Sequence, residues 1–437
     1  MGLSMTQKIL AAAMDQEAAA PGELIFPVPS LFYGTEHTLP QAAKMLNAMD
    51  ISELTEPGKT AAIATGNVAV ESGQFATLER AMAEFVRKYG IEHFYPAGRG
   101  GVAPFRLAEA GLTVPGEFII GGDVHAAALG ALGIVSIPVG STDLAVALAL
   151  NKFWMHVPQA IRVIFHGEPG RMVSGKDLGL AMMRQIPPDR TGGCSMEFGG
   201  EALTELSIAD RFTVTEMAID AGGLNGIMIP DEKMLEYLAD YTSREAEYYF
   251  ADDDVEYAGE YEIDVDVLTP MVHELGRESK IYSVGAVEEE IPVHQVVIGG
   301  CSGGLLEDLW TVAKVMKYRQ IPEHLRLHII PATITVYRQM INGGLASIFS
   351  ELGATIWPPS CGLCPDSRFH GVAPGDNVVV TTRGRRLGPN NRVWSTSPAV
   401  AAATAVTGHL IDPREIVPES DEGETPPDVN IQEFMSG

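Results

Sequence analysis

Three cysteines set among glycine and serine are the residues best suited to chemistry in this 437-residue sequence. Cys301 lies in Gly-Gly-Cys-Ser-Gly-Gly, and further on Cys361 and Cys364 lie in Ser-Cys-Gly-Leu-Cys-Pro. Three thiolates are one short of closing a tetrahedral zinc site or an all-cysteine iron–sulfur cluster. A metal centre held this way keeps one coordination position for water or substrate, which suits chemistry better than structural stapling. Thiolates favour zinc or iron–sulfur over hard cations. The residues alone leave both metals open, together with the plainer reading of three small buried hydrophobes. Cys194, in Gly-Gly-Cys-Ser, falls outside the pattern and reads as an ordinary thiol.

The elements that must position these thiols read as alternating strands and helices. Residues 6–20 read as a short helix ended by Pro21-Gly22, and 23–29 as a strand. Residues 60–64 form a short apolar strand pattern, 76–89 carry helical periodicity, 117–122 is a strand closed by glycines, and 143–150 is an apolar helix. Strand, glycine turn and helix repeating in this way imply an α/β architecture with mainly parallel sheets. In such sheets functional groups gather on loops leaving the carboxyl ends of strands. Gly121-Gly122-Asp123-Val124-His125 and Ile298-Gly299-Gly300-Cys301 both occupy that position.

Composition bounds the function. The chain carries 30 Lys and Arg against 57 Asp and Glu, a net charge of −27, and such a field repels phosphate backbones and anionic lipid. Neither nucleic acid nor membrane is expected as a partner. No apolar run is long enough to span a bilayer, and the N-terminal residues lack a secretory pattern. The few, unevenly spaced cysteines do not form a disulfide framework, so the reducing cytoplasm is the expected location. Three α/β domains are expected, at 1–155, 156–273 and 274–415, followed by an acidic tail at 416–437. The run Asp252-Asp253-Asp254 reads as a solvated face, and the tail as poorly ordered or wrapped on a partner.

From about residue 20 to 415 the chain resembles the aconitase superfamily, and within it the large subunits of isopropylmalate dehydratase-type enzymes. The resemblance is carried by residues 123–133, Gly140-Ser141-Thr142-Asp143, the stretch 213–222, Val297 to Cys301 with Glu307-Asp308-Leu309, the Cys361 and Cys364 pair, and Thr396-Ser397-Pro398-Ala399. The Cys-x-x-Cys pair alone says little, but its order relative to Cys301, Asp123-x-His125 and Ser397-Pro398-Ala399 is specific. The resemblance implies three α/β domains around a central cleft, with a [4Fe–4S] cluster held by Cys301, Cys361 and Cys364 and a fourth iron acting as a Lewis acid on a small carboxylic-acid substrate. It further implies that Asp123 and His125 assist loss of the hydroxyl, that Asp220 pairs with a site histidine, that Glu36 contacts substrate, and that Arg383 clamps a carboxylate. Dehydration of a β-hydroxy acid needs a base for the proton alpha to the carboxylate, an acid for the leaving hydroxyl and cations for the developing charge, and bidentate arginine suits a carboxylate. Without the resemblance, Asp123 and His125 would read as a turn residue and a satisfied core histidine.

The chain departs from the family pattern in the substrate site. Val124 stands where the family has serine, Thr65-Gly66-Asn67 replaces Asp-His-Asn, and Ala103-Pro104 lies where a second site histidine is expected. Cys301-Ser302-Gly303 replaces Cys-Thr-Asn, Glu216 replaces an asparagine, and residues 382–388 replace Asn-Arg-Asn-Phe-x-Gly-Arg. A second clamp arginine would come from Arg385, Arg386 or Arg392, which with Arg383 form the basic cluster of the chain. The reading adopted is an iron–sulfur hydro-lyase for a malate-type acid such as an alkylmalate, dimethylmalate or a maleate-like compound. The alternative is a cluster-binding regulatory protein that has lost the ordinary chemistry. Family members also need a swivelling domain carrying a serine base. A small swivelling-domain subunit is the expected source of it here.

Overall fold

The computed structural model describes residues 2–66, 73–276, 280–287, 289–317, 319–362, 372–383 and 390–418. Its described residues form two compact units. The first gathers those of Met1–Thr65, Glu71–Glu168 and Met182–Asp264, and the second those of Pro169–Ala181 and Val265–Gly437 together with Gly66.

The first unit is built on two parallel sheets. One contains β1 (Leu31–Thr35), β2 (Thr60–Ile63), β3 (His93–Tyr95), β4 (Phe118–Gly122) and β5 (Val135–Pro138) in the order β3-β2-β1-β4-β5. Every residue of β1, β2 and β4 is buried, which is why these strands read as continuous apolar or small-residue runs rather than alternating ones. Phe32, Ala62, Ile120, Leu39 and Leu144 pack in one core, each such fully buried aliphatic or aromatic side chain worth about 1.5–3 kcal/mol. The strand order reverses between β1 and β4. The other sheet contains β6 (Ala160–His166), β7 (Ser195–Gly199), β8 (Asn225–Met228) and β9 (Gly259–Asp264) in the order β8-β7-β6-β9.

The second unit holds a seven-stranded sheet. Its strands are β10 (Met271–Leu275), β11 (Lys280–Ser283), β12 (Gln295–Gly299), β13 (Arg326–Ile330), β14 (Thr355–Ile356), β15 (Asn377–Val380) and β16 (Arg392–Thr396). The order is β11-β10-β16-β15-β12-β13-β14, with β10 antiparallel to both its neighbours and the remaining pairs parallel. Val296, Ile298, Leu309, Phe349 and Trp394 anchor its core. Here the chain order reverses between β12 and β15.

Local differences from the sequence reading have local causes. The first helix is Met5–Ala12 rather than 6–20, because Asp15 adopts a left-handed φ of 56°, which acids tolerate and a helix does not. The strand expected over 23–29 shrinks to Leu24–Ile25, paired antiparallel with Met155–His156. Pro27 and Pro29 have no N–H to extend that ribbon. The expected domain limit at 155 falls in this ribbon and the limit at 273 falls inside β10. Most of the acidic tail, from 419 on, lies outside the described residues. No helix among the described residues is long and apolar enough to cross a membrane.

Candidate functional site

In the first unit the reversal between β1 and β4 opens a crevice position at their carboxyl ends, where α/β sheets carry ligands. Glu36 directly follows β1, Thr65 lies just past β2, and Asp123 directly follows β4. Glu36 is fully buried, and its carboxylate accepts from the Thr65 backbone N–H at 2.9 Å and from Thr65 Oγ1 at 3.2 Å. His37 Nε2 stands 3.3 Å away. Burial raises the Glu36 pKa above its ordinary value, and the His37 charge and the Thr65 donors offset this in part.

Asp123 caps the 3-10 segment Val124–Leu132, accepting from the His125 N–H at 3.3 Å. Its Oδ1 also lies 2.8 Å from His125 Nδ1. Burial raises the Asp123 pKa, but the His125 charge and its two hydrogen bonds, with help from His37, outweigh burial and hold the carboxyl below its ordinary range. A 3-10 run this long is unusual and needs tertiary support. It receives support from the helix Ile208–Asp220, whose Thr215 hydroxyl donates to the Ala128 carbonyl at 3.0 Å.

The same helix brings Glu216 to His125, with Oε1 3.6 Å from Nε2. Glu216 is buried, and among the described residues neither its carboxyl oxygens nor Asp123 Oδ2 has a hydrogen-bond partner. Asp220, expected to pair with a site histidine, ends this helix one turn later and is half-buried. Besides Asp123 at Nδ1, Glu216 faces Nε2 of His125, and the sequence marks Glu216 only as a departure from the family. Val124, between Asp123 and His125, is exposed.

In the second unit the reversal point lies between β12 and β15. Cys301 follows β12 with Gly300 between and is buried; Cys361 lies past β14 and is buried. Their loops abut. A Cβ on Gly299 would meet the Ile330 carbonyl oxygen at 1.9 Å, and one on Gly300 (φ +82°) would meet the Cys361 carbonyl oxygen at 2.9 Å. Only glycine lets the Cys301 loop approach so closely. Thr381 ties β15 to this turn, its Oγ1 accepting the Gly299 N–H at 2.9 Å. Next to it Thr382 is buried, and its hydroxyl has no hydrogen-bond partner among the described residues. Arg383 follows, half-buried, at the same carboxyl edge.

Cys364, Arg385 and Arg386 lie outside the described residues. Arg392 does not share the edge with Cys301. It begins β16, level with Asn377 at the amino end of the parallel pair. Its guanidinium reaches Glu274 at 3.0 Å and Glu289 at 3.3 Å and lies 4.7 Å from the Trp394 ring centre. Cys194 is buried in the first unit, where burial pushes its thiol pKa up, as suits an inert thiol.

Two buried thiols on abutting glycine loops, bordered by an unmatched hydroxyl, fit a thiolate-held iron–sulfur group, which uses sulfur ligands and accepts hydrogen bonds from its surroundings. The pair in the first unit fits proton handling: a carboxylate with lowered pKa fixes the orientation of an imidazole.

Comparison with known proteins gives a consistent result. The model of the aconitase family (aconitate hydratase) matches residues 7–284 and 276–408. A 3-isopropylmalate dehydratase large subunit of Caldicellulosiruptor saccharolyticus is 37% identical over 427 residues, covering 96% of this chain and 99% of that protein. The large subunit of the same name from Caldicellulosiruptor bescii is 38% identical over 427 residues, with 96% and 99% covered. That of Acetivibrio thermocellus is 38% identical over 426 residues, with 95% and 100% covered.

Proposed function

Because this chain belongs to the aconitase family, with its mixed α/β fold of mainly parallel sheets, we propose that it is the large subunit of an iron–sulfur hydro-lyase acting on a malate-type hydroxy acid. The relatives' names carry the class of reaction and the term large subunit, and so support a small-subunit partner. The observation that carries the reading from this chain's own residues is the placing of Cys301 and Cys361 on abutting loops at the carboxyl edge of one sheet.

In this proposal Cys301, Cys361 and Cys364 hold a [4Fe–4S] cluster, which when bound supplies a Lewis acid for the hydroxyl and carboxylate of the substrate. His125 handles the proton of the departing hydroxyl, and Asp123 keeps the ring turned through its bond to Nδ1. Glu216 stands on the other side of the ring, with Oε1 3.6 Å from Nε2. Asp220 remains a candidate for tuning a neighbouring group from the end of the same helix. Glu36, which its Thr65 contacts hold in one orientation, contacts the substrate, and Arg383 pairs with a substrate carboxylate. A small swivelling-domain subunit brings a serine base for the proton alpha to the carboxylate.

Alkylmalates, dimethylmalate and maleate-like acids are the proposed substrates. Val124 offers no hydrogen bond where the family has a serine hydroxyl, so the pocket is suited to a less polar substituent. The test is an anaerobic assay of the cluster-loaded chain, alone and with its small subunit, against a panel of such acids, followed by absorbance of the unsaturated product. Turnover that needs both subunits is expected. No turnover of any acid by a fully loaded pair would overturn the hydro-lyase reading.

A further inference from the structure

Thr381 and Thr382 are adjacent buried threonines with different fates. Thr381 Oγ1 accepts from the Gly299 N–H at 2.9 Å and lies 3.4 Å from the Gly299 carbonyl, so it is used up in joining β15 to the strand that launches Cys301. Thr382's backbone carbonyl accepts from Ser395 Oγ at 2.5 Å. Its hydroxyl is buried without a hydrogen-bond partner among the described residues. A buried hydroxyl left unmatched is costly, and native structures keep such groups rarely and for a reason.

The surroundings supply the reason. The Thr382 methyl lies 3.0 Å from where a Cβ on Gly300 would stand and 3.4 Å from where one on Gly362 would stand. Gly300 precedes Cys301 and Gly362 follows Cys361, so this one β-branched side chain borders both cysteine loops. The acceptors that a cluster at these cysteines brings to the spot are sulfurs, thiolate or inorganic. Hydrogen bonds to those sulfurs stabilise the more negative, reduced cluster and raise its potential.

We infer that the Thr382 hydroxyl donates a hydrogen bond to a sulfur of the cluster bound at Cys301 and Cys361 and thereby raises its reduction potential. The inference rests on the cluster reading above. It makes Thr382 a positioning and tuning residue that does not itself bind iron.

The test uses the full chain, loaded anaerobically, as wild type, Thr382→Val, Thr382→Ala and Thr382→Ser. Iron and acid-labile sulfide are counted per chain, and potentials are read by redox titration followed by electron paramagnetic resonance. Thr382→Val and Thr382→Ala are expected to hold the cluster at a more negative potential, while Thr382→Ser stays at the wild-type value. Reading two hydroxyl-free variants keeps the comparison intact if one of them loads poorly. A loaded hydroxyl-free variant at the wild-type potential overturns this inference alone, as does a serine variant shifted as far as valine. A wild-type chain that binds no iron and sulfide removes the cluster reading, and this inference with it.

Discussion

Glu216 Oε1 stands 3.6 Å from Nε2 of His125, while Nδ1 of the same ring lies 2.8 Å from Asp123 Oδ1. The imidazole is thus bracketed by two acidic side chains in a buried place.

Removing the imidazole tests that bracket. His125→Leu leaves Asp123 and Glu216 without the imidazole between them, and a loss of about 1–3 kcal/mol of stability is expected. Adding Glu216→Leu recovers part of it, because residues in one network are not additive. Urea unfolding of the single and double variants checks this. Strict additivity would contradict the bracket.

The same contact has a catalytic consequence. Asp123→Asn keeps the side-chain shape but weakens the hydrogen bond that orients His125, so kcat should fall by about 10²–10⁴, the usual worth of a positioned proton-transfer group. Iron and sulfide content should stay at the wild-type level, because Asp123 is not a proposed cluster ligand. A change of only a few fold would argue that His125 is not the acid.

Gly300→Ala tests the approach of the two cysteine loops. An L-residue at φ +82° is strained by about 1–2 kcal/mol, and its Cβ would press on the Cys361 carbonyl at 2.9 Å. Lower thermal stability and reduced iron per chain are expected together. Gly58→Ala, with nothing within 4 Å of its Cβ, serves as the control that leaves both unchanged.

The helix that carries Glu216 is tied down by Arg211, whose guanidinium meets Asp231 in two contacts at 2.7 and 2.6 Å. Burial raises the Asp231 pKa, but the Arg211 and Met234 hydrogen bonds, with the charges of Arg211 and Lys233, outweigh it and hold it below the ordinary 3.8. A carboxylate with a depressed folded-state pKa adds stability above 3.8, and that stability is lost as the pH falls below it. The urea midpoint of wild type should therefore exceed that of Asp231→Asn at neutral pH, with the gap closing as the pH drops below 3.8. A gap that is the same at all pH values would show that the charge contributes nothing.

What the sequence made legible follows from what each residue must satisfy locally. The strands expected at 60–64 and 117–122 appear as Thr60–Ile63 and Phe118–Gly122, because short buried parallel strands ending in small residues leave little choice. That put Asp123, His125 and Cys301 at strand carboxyl ends, where they stand. Glu216 was not legible as His125's neighbour. Its helix is buried almost all round, from Ile208 to Ala218, so no polar stripe reveals which way one acid points. Arg392 was read with Arg383 as one basic cluster, but the length of two paired parallel strands puts the two residues at opposite ends of the sheet. Thr382 carries no sequence signal at all; only the abutting glycines show what it borders.

The most direct test of the central claim is cysteine-by-cysteine metal analysis of the full chain after anaerobic reconstitution, with iron, zinc and acid-labile sulfide counted and the visible spectrum recorded. Wild type and Cys194→Ser are predicted to hold iron and sulfide near four each per chain, the content of one [4Fe–4S] cluster. Cys301→Ser, Cys361→Ser and Cys364→Ser are each predicted to lose it. Zinc in place of iron and sulfide, or a full cluster retained without Cys301 or Cys361, would contradict the account.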